Sequence, residues 1–212
     1  MAYRFIYRET AEALYDALIG DAFYIAMEGS VKGHATHPRE AMLRYYDFSM
    51  QEAMRYGELH LSEDPMAGAS IWSTPIDDNQ KQRMAVEKER FLGDQMGQAS
   101  LEKYQQMVRS MAQQSKTLVP PGSWYLSIVG IAPPYQNQGL GSRLVRPILD
   151  RLDRQGYTCY LETFTPHNMT FYRQMGFYEA GCFDAPGAEA RYWLMIREPP
   201  SSTACGSIDR ER

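Results

Sequence analysis

The fold of this chain is decided by the stretch Ile131-Ala132-Pro133-Pro134-Tyr135-Gln136-Asn137-Gln138-Gly139-Leu140-Gly141-Ser142. A strand-like run from Trp124 to Ile131 ends at two prolines, and a turn with two glycines leads into a helical pattern of apolar residues. The N-terminus of a helix carries unsatisfied N–H groups and a partial positive charge, and glycines leave the backbone open to close approach. The stretch therefore predicts a site for an anion such as a diphosphate.

Composition and charge bound the class of protein. The 212 residues, of which 44% are hydrophobic, suit one α/β domain with an inserted segment. A net charge of −4, with both signs mixed along the chain, argues against a nucleic-acid partner, which would need a basic face. No apolar run approaches the roughly 18 residues that span a bilayer, and the first residues are too polar for a signal peptide. No membrane partner is expected.

Cysteine and histidine spacing gives no metal or disulfide pattern. The three cysteines are widely scattered: Cys159, Cys182 and Cys205. Reduced thiols in a cytoplasmic protein are the simplest interpretation. His34 and His37 lie in a loop without further ligands, so no metal is expected.

Periodicity and turn signals predict the element order β-α-α-β-β-(αα)-β-α-β-α-β-β, which gives one mixed sheet with helices on both faces. Tyr3 to Arg8 alternates like a first strand, and Ala11 to Tyr24 has the pattern of one amphipathic helix. Residues 79–119 predict a two-helix insertion. We expect residues 1–198 to form a single domain and residues 199–212 to form a polar tail.

Two other phosphate-binding motifs compete for the glycine turn. A P-loop is excluded, because no Gly-Lys-Ser/Thr follows the turn. A dinucleotide fingerprint would use Gly139 and Gly141, with Glu162 about 20 residues further on as the ribose-binding acid. Leu144 occupies the position of the third glycine, however, and prolines interrupt the passage from strand to turn. Dinucleotide binding by this turn stays an alternative interpretation.

The turn and the residues after it resemble the Gcn5-related N-acetyltransferase (GNAT) superfamily. Gln136-x-x-Gly139-x-Gly141, preceded by Ile131-x-Pro133, is similar to its coenzyme A signature, Q/R-x-x-G-x-G/A after V-x-P on the fourth strand. The strand Tyr160–Thr163 and the later run Phe171-Tyr172-x-x-x-Gly176-Phe177 extend the resemblance, which covers roughly residues 123–179. It implies an α/β (α+β) fold with a mostly antiparallel sheet of about seven strands, the helical insertion preceding the fourth.

Within the superfamily, the puromycin N-acetyltransferase group looks most similar. The shared features are the strand end Ile71-Trp72-Ser73-Thr74-Pro75, the runs Trp124-Tyr125-Leu126 and Leu161-Glu162-Thr163, and the short spacing from Asn168 to Tyr172. Asn137 departs from the pattern, because glycine is frequent at that position. Asn tolerates a left-handed backbone better than most residues, so we expect the turn to be preserved.

The resemblance implies acetyl-CoA as co-substrate, and it assigns binding residues. Backbone amides from Gln138 to Ser142 would hold the pyrophosphate, with Gln136 and Arg143 nearby. The strand from Val129 to Ile131 would pair with the pantetheine arm, and one of its N–H groups would polarise the thioester carbonyl. Asn168 would orient the cofactor or a water. The complete set is Val129, Gly130, Ile131, Gln136, Asn137, Gln138, Gly139, Leu140, Gly141, Ser142, Arg143 and Asn168.

Two residues are candidates for the chemistry. The resemblance puts Tyr172 at the usual position of the proton donor to the leaving thiolate. The alternative interpretation is that Tyr172 is an aromatic residue of the hydrophobic core. Glu162, at the end of a strand, could take the proton of the amine, or it could only hold Tyr172 or a backbone amide. Direct attack is implied, since no cysteine or serine nucleophile suggests itself.

The expected activity is transfer of an acetyl group to a primary amine of a small molecule. Two alternatives stay open: acetylation of a protein lysine or N-terminus, and a non-catalytic module that only binds acyl-CoA. A monomer or a homodimer is expected. A lid formed by residues 79–119 over the cleft would disfavour a protein substrate.

Overall fold

The computed structural model describes residues 3–200, which form a six-stranded mixed sheet with helices on both faces. The predicted class is confirmed, with one strand fewer than the expected seven. The strands are β1 (Gly57–Leu61), β2 (Gly68–Ser73), β3 (Trp124–Ile131), β4 (Cys159–Thr163), β5 (Tyr178–Ala185) and β6 (Ala190–Arg197). The α-helices are α1 (Arg8–Leu18), α2 (Ala22–Gly29), α3 (Pro38–Tyr56), α4 (Asp78–Met96), α5 (Gln98–Leu118), α6 (Leu140–Gln155) and α7 (Asn168–Gln174).

The strands lie in the order β1-β2-β3-β4-β6-β5. Neighbouring strands are antiparallel, except that β3 and β4 run parallel and pair at two positions, Trp124 with Cys159 and Tyr125 with Tyr160. Beyond these two pairs β3 stays bonded to β2, while β4 stays bonded to β6. The sheet therefore forks between β3 and β4.

A β-bulge in β3 lies just beyond the fork. Ile71 of β2 faces Ile128 and Trp72 faces Leu126, so that Ser127 is the extra residue. An inserted residue reverses the alternation of side chains along a strand. Accordingly, Leu126 belongs to the hydrophobic core on the α6 side of the sheet, and Ile128 belongs to the core on the opposite side.

The two cores cover the two faces of the sheet. The larger core is formed by α1 to α5 against β2 and β3, with Leu14, Met27 and Met50 fully buried. The smaller core is formed by α6 and α7 against β3, β4 and β6. All the apolar residues predicted to form one face of the helix after the glycine turn are buried: Leu144, Val145, Ile148, Leu149 and Leu152.

The predicted first strand, Tyr3 to Arg8, is wrong. The backbone amides of Ile6 and Tyr7 donate to Oδ1 of Asp47 on α3, at 3.0 and 2.6 Å, and the Tyr3 hydroxyl donates to Oδ2 at 2.8 Å. Asp47 is fully buried. Because one carboxylate binds the amides that a strand would offer to a neighbour, this segment is held without joining the sheet.

The single helix predicted from Ala11 to Tyr24 is divided in two. α1 ends at Leu18, and α2 begins after Asp21, whose side chain accepts a hydrogen bond from the Phe23 amide at 3.0 Å. An aspartate in this position caps a new helix, which periodicity alone does not reveal.

The predicted two-helix insertion is confirmed as α4 and α5. Gly97, with φ of 91°, separates them, whereas Gly93 lies inside α4 and breaks nothing. The insertion precedes the third observed strand, because the predicted first strand is absent. Most of the predicted tail, 199–212, lies outside the described residues.

Replacement of the buried Asp47 by Asn tests the anchor of the N-terminal segment. Hydrogen bonds to a charged acceptor contribute about 1.5–3 kcal/mol, so D47N should lower the free energy of unfolding in urea by about 2 kcal/mol. The exposed Asp16 on α1 supplies the control, and D16N should change stability by less than about 0.5 kcal/mol. Equal effects of the two substitutions would contradict this role for Asp47.

Candidate active site

The fork leaves one edge of β3 without a strand partner. The amide of Ala132 donates to the carbonyl of Ala67, 2.9 Å away, across the edge that faces β2. Since backbone N–H groups point to alternate sides along a strand, the amides of Val129 and Ile131 point toward the fork. These residues, with Gly130 between them, offer a strand edge to an extended ligand.

The glycine turn presents a row of free amides beside the same strand end. Asn137 and Gly139 have left-handed backbones, with φ of 61° and 75°, so Asn adopts the conformation that was expected of it. The first bond of α6 joins the Arg143 amide to the Gly139 carbonyl at 3.1 Å. The amides from Asn137 to Ser142 donate no hydrogen bond to any of residues 3–200. This row at a helix N-terminus suits an anion.

The side chains of the turn stabilise its shape. Gln136 Nε2 donates to the Ile131 carbonyl at 2.8 Å, and Gln138 Nε2 donates to the Pro134 carbonyl at 3.1 Å. A Cβ on Gly141 would lie 3.3 Å from the ring of Phe171, so glycine permits close contact between α6 and α7. The loop thus offers its backbone, rather than its glutamine side chains, to a ligand, and Arg143 beside it is exposed.

A cavity of about 640 Å³ lies on the other side of the fork, between the sheet and the helices α2 to α5. Its charged lining residues are Asp21, Glu52, Glu162, Lys81 and Lys88. Tyr125 and Ser127 bring β3 to the cavity wall, and Tyr160 does so for β4. A volume of this size suits a small organic molecule.

Glu162 lies on β4, two residues after Tyr160, the last residue of β4 that pairs with β3. Its Oε2 accepts a hydrogen bond from the Tyr125 hydroxyl at 3.0 Å, and its Oε1 is buried without a partner among the described residues. Burial raises the pKa of Glu162 to about 7, and the hydrogen bond from Tyr125 acts in the opposite direction. The ring of Tyr125 stacks on Tyr160 with centroids 4.7 Å apart, which fixes the donor. Glu162 can therefore exchange a proton near neutral pH.

Tyr172 lies elsewhere. It is buried in the core on the α6 side, edge-on to the rings of Phe171 and Phe177, and it is not part of the cavity lining. Burial, followed by the negative charge of Asp21, raises the pKa of Tyr172. Asn168 begins the same helix, with its amide bonded to the Thr165 carbonyl at 3.0 Å. Glu162 thus lines the cavity, whereas Tyr172 belongs to the core on the α6 side, close enough to Asp21 on the cavity wall for that charge to raise its pKa.

Several cavity residues were not anticipated from the sequence. The sequence marks Tyr125 only through its place in a family motif, and it does not single out Asp21, Glu52 or Lys88. Lys88 could have been recognised from the sequence, because it lies at helical spacing between Met84 and Phe91 and so interrupts the apolar stripe of the insertion. A lysine in a buried stripe points to a partner carboxylate.

Residues 3–200 contain neither a cluster of metal-ligating side chains nor a membrane-spanning helix. No group of three or more His, Cys, Asp or Glu side chains is arranged to hold a metal ion. No helix in that range combines the length and apolarity that crossing a membrane requires.

The fold and the site together are those of an α/β domain with a forked sheet and a row of free amides at the start of α6. The sequence profile of the acetyltransferase (GNAT) family matches residues 40–177, more than half of the chain. The chain belongs to this family of acyltransferases.

Individual relatives match over shorter regions. An uncharacterized N-acetyltransferase of Schizosaccharomyces pombe is 32% identical over 83 residues, which cover 38% of this chain and 34% of the relative. The N-alpha-acetyltransferase RimI of Mycobacterium tuberculosis is 36% identical over 64 residues, or 29% of this chain and 39% of the relative. The matches thus span little more than a third of either relative's length.

A solved structure resembles the chain over most of its length. Arylalkylamine N-acetyltransferase 2 of Aedes aegypti aligns with a TM-score of 0.58 over 91% of this chain and 94% of its own, at 11% identity. At that identity the likeness concerns the fold alone.

The raised pKa of Glu162 makes a prediction for stability. A carboxyl group whose pKa is higher in the folded state stabilises the fold at low pH, and this contribution is lost as the pH rises through about 7. Glu162→Gln removes the buried charge. Its free energy of unfolding, relative to that of the parent chain, should therefore be about 2 kcal/mol higher at pH 8 than at pH 5, which means that the variant is relatively more stable at the higher pH.

Urea unfolding at both pH values measures this difference. The exposed Glu63 offers a matched control, and Glu63→Gln should show no such dependence on pH. A pH-independent effect of Glu162→Gln would show that Glu162 titrates normally in the folded protein.

Proposed function

We propose that this chain is an acetyl-CoA-dependent N-acetyltransferase that acts on a primary amine of a small molecule. The observation that carries the proposal is the fork between β3 and β4, which has free strand amides and the α6 turn on one side and the Glu162 cavity on the other. An acyl donor with a diphosphate and an acceptor amine can thus approach one point from two directions. GNAT acetyltransferases use acetyl-CoA, which supplies an activated acetyl group.

The residues for the cofactor follow from these contacts. Amides between Asn137 and Ser142 would bind the pyrophosphate, because they lack other acceptors and lie at a helix start. The free edge from Val129 to Ile131 would hold the pantetheine arm as an added strand. Arg143 and Asn168 flank these positions, whereas Gln136 supports the cofactor indirectly by holding the turn.

Glu162 is the proposed base. An amine must lose a proton as it forms the amide, and a carboxylate with a pKa near 7 accepts protons efficiently at neutral pH. The Tyr125 hydrogen bond occupies Oε2 and leaves Oε1 for the amine or a bridging water. A structural role would require Glu162 to hold Tyr172 or a backbone amide. Among the described residues, its one hydrogen-bond partner is the Tyr125 hydroxyl.

Tyr172 is the proposed donor to the leaving thiolate. Its raised pKa keeps the hydroxyl protonated at neutral pH. Complete transfer to a thiolate with an ordinary pKa of about 8.5 would then be uphill, so the proposed action is a hydrogen bond that stabilises the thiolate as it departs.

A small acceptor is favoured over a protein because of the inserted helices. Residues of α4 and α5 line the cavity, among them Met84, Lys88, Tyr104 and Met111. This contribution of α4 and α5 to the cavity wall supports a small acceptor. A lysine or N-terminus of a protein would need a groove through which its chain could pass.

Finer assignments accompany this proposal. The short spacing from Asn168 to Tyr172 supports kinship with the puromycin N-acetyltransferase group, and residues 1–198 are proposed to act as one domain. Cys159 and Cys182 are both free, which agrees with a cytoplasmic location. A monomer or a homodimer is compatible with this site.

Thiol release from acetyl-CoA, measured against a panel of small amines and a panel of peptides, tests the function. Release with small amines supports the proposal, and release confined to peptides would favour a protein acetyltransferase. Coenzyme A binding by calorimetry without release for any acceptor would favour a non-catalytic module.

Tyr172→Phe tests the hydrogen bond to the leaving thiolate. Loss of the hydroxyl should lower kcat by about 100-fold, the lower range for removal of one donor to a developing negative charge, while the Kd for coenzyme A stays within about twofold. Tyr178→Phe removes a hydroxyl from the exposed edge strand and serves as the control. An unchanged kcat in Tyr172→Phe would remove Tyr172 from the mechanism.

Tyr125→Phe tests the setting of the base. The hydroxyl of Tyr125 lowers the pKa of Glu162, so its loss should move the acidic limb of kcat/KM toward higher pH, by about half a unit to one unit. Tyr160→Phe keeps the hydrogen bond between Tyr125 and Glu162, and its limb should stay in place. Coincident profiles for all three proteins would show that Glu162 is not the titrating base.

A further inference from the structure

The cavity has a second carboxylate on its helical wall. Glu52 on α3 lines the cavity, as Glu162 does on the sheet side. Oε2 of Glu52 lies 2.9 Å from Nζ of Lys88, whereas Oε1 is buried and has no hydrogen-bond partner among the described residues. A buried carboxylate oxygen without a donor costs free energy, which a donor from a ligand would recover.

Lys88 fixes Glu52 and balances its charge. The ammonium group also lies 3.3 Å from Ser49 Oγ, and it faces the rings of Tyr45 and Phe48 at 5.1 and 4.9 Å. Lys88 is buried, and its ammonium group contacts Glu52 and Ser49 within the protein. The pair presents one acceptor oxygen of fixed position without a net charge, which suits a neutral donor such as an amide or a hydroxyl group.

Aromatic side chains supply much of the remaining cavity wall. They include Tyr24 on α2, Tyr104 on α5, and Tyr125 and Tyr160 on the sheet. Burial raises the pKa of Tyr24, Tyr104 and Tyr160, so their hydroxyls remain protonated. Rings with polar tips favour a flat, largely apolar body of drug-like size.

We propose that Glu52, held by Lys88, is a specificity-determining residue that binds a second group of the acceptor. The acceptor is then an amine with an aromatic body that carries a hydrogen-bond donor remote from the amine. The amine reacts beside Glu162, and the remote donor binds Oε1 of Glu52. The proposal rests on the proposed function for its account of turnover, but the recognition itself concerns binding.

The test uses pairs of aromatic primary amines with phenyl, naphthyl and biphenyl bodies, each compared with the derivative that carries a carboxamide at the far end. Thiol release gives kcat/KM, and calorimetry in the presence of coenzyme A gives Kd. In the parent chain at least one pair should show a preference of about tenfold for the carboxamide, typical of one buried hydrogen bond.

The informative variant is the double substitution Glu52→Leu with Lys88→Met, because it removes the acceptor oxygen and both charges together and leaves no charge unpaired. The preference should fall to about twofold or less. Arg55→Met with Glu87→Gln breaks another ion pair between α3 and α4, outside the cavity, and should keep the preference.

The outcomes separate the two proposals. Absence of a preference in every pair, or equal losses for both members of a pair in the double variant, would overturn the role of Glu52. If no amine supports thiol release, the acetyltransferase proposal fails, while the binding preference still decides the role of Glu52.

Discussion

The parallel pairing of β3 with β4 ends after two residue pairs, and the proposed site depends on that interruption. β3 is held along its length by β2, and β4 is held by β6, so the two halves of the sheet diverge from a common start. Stacked Tyr125 and Tyr160 occupy the last shared pair. A continuous parallel sheet would satisfy the amides of Val129 and Ile131 internally and leave no edge for a ligand.

The bulge at Ser127 links the fork to both cores. One extra residue sends Leu126 to the α6 side and Ile128 to the side of α1 to α5. The same strand can therefore contribute to the cavity at its beginning and meet the glycine turn at its end. Ser127 Oγ donates to the Ile71 carbonyl at 3.1 Å, so the irregular position keeps a bond to β2.

Two carboxylates that are shielded from solvent, Asp47 and Glu162, have different consequences in this fold. Asp47 is enclosed by donors from the N-terminal segment and anchors it. Glu162 has one donor and one unpaired oxygen, so its burial costs stability and produces a pKa suited to proton transfer. Residues of this second kind are typical of functional sites, where stability is lower than packing alone would allow.

Local sequence was sufficient to predict the glycine turn, the helix after it and the two-helix insertion. These depend on prolines, glycines and apolar spacing within a few residues, which fix the backbone locally. It failed for Tyr3 to Arg8 and for the division between α1 and α2, where one aspartate in each case decided the outcome. Only the tertiary structure placed Glu162 beside Tyr125, enclosed Glu52 with Lys88, and put Tyr172 in the other core. The partners in the Glu162–Tyr125 and Glu52–Lys88 pairs are 36 or more positions apart in the sequence. No local pattern indicates which distant segment will enclose a given side chain.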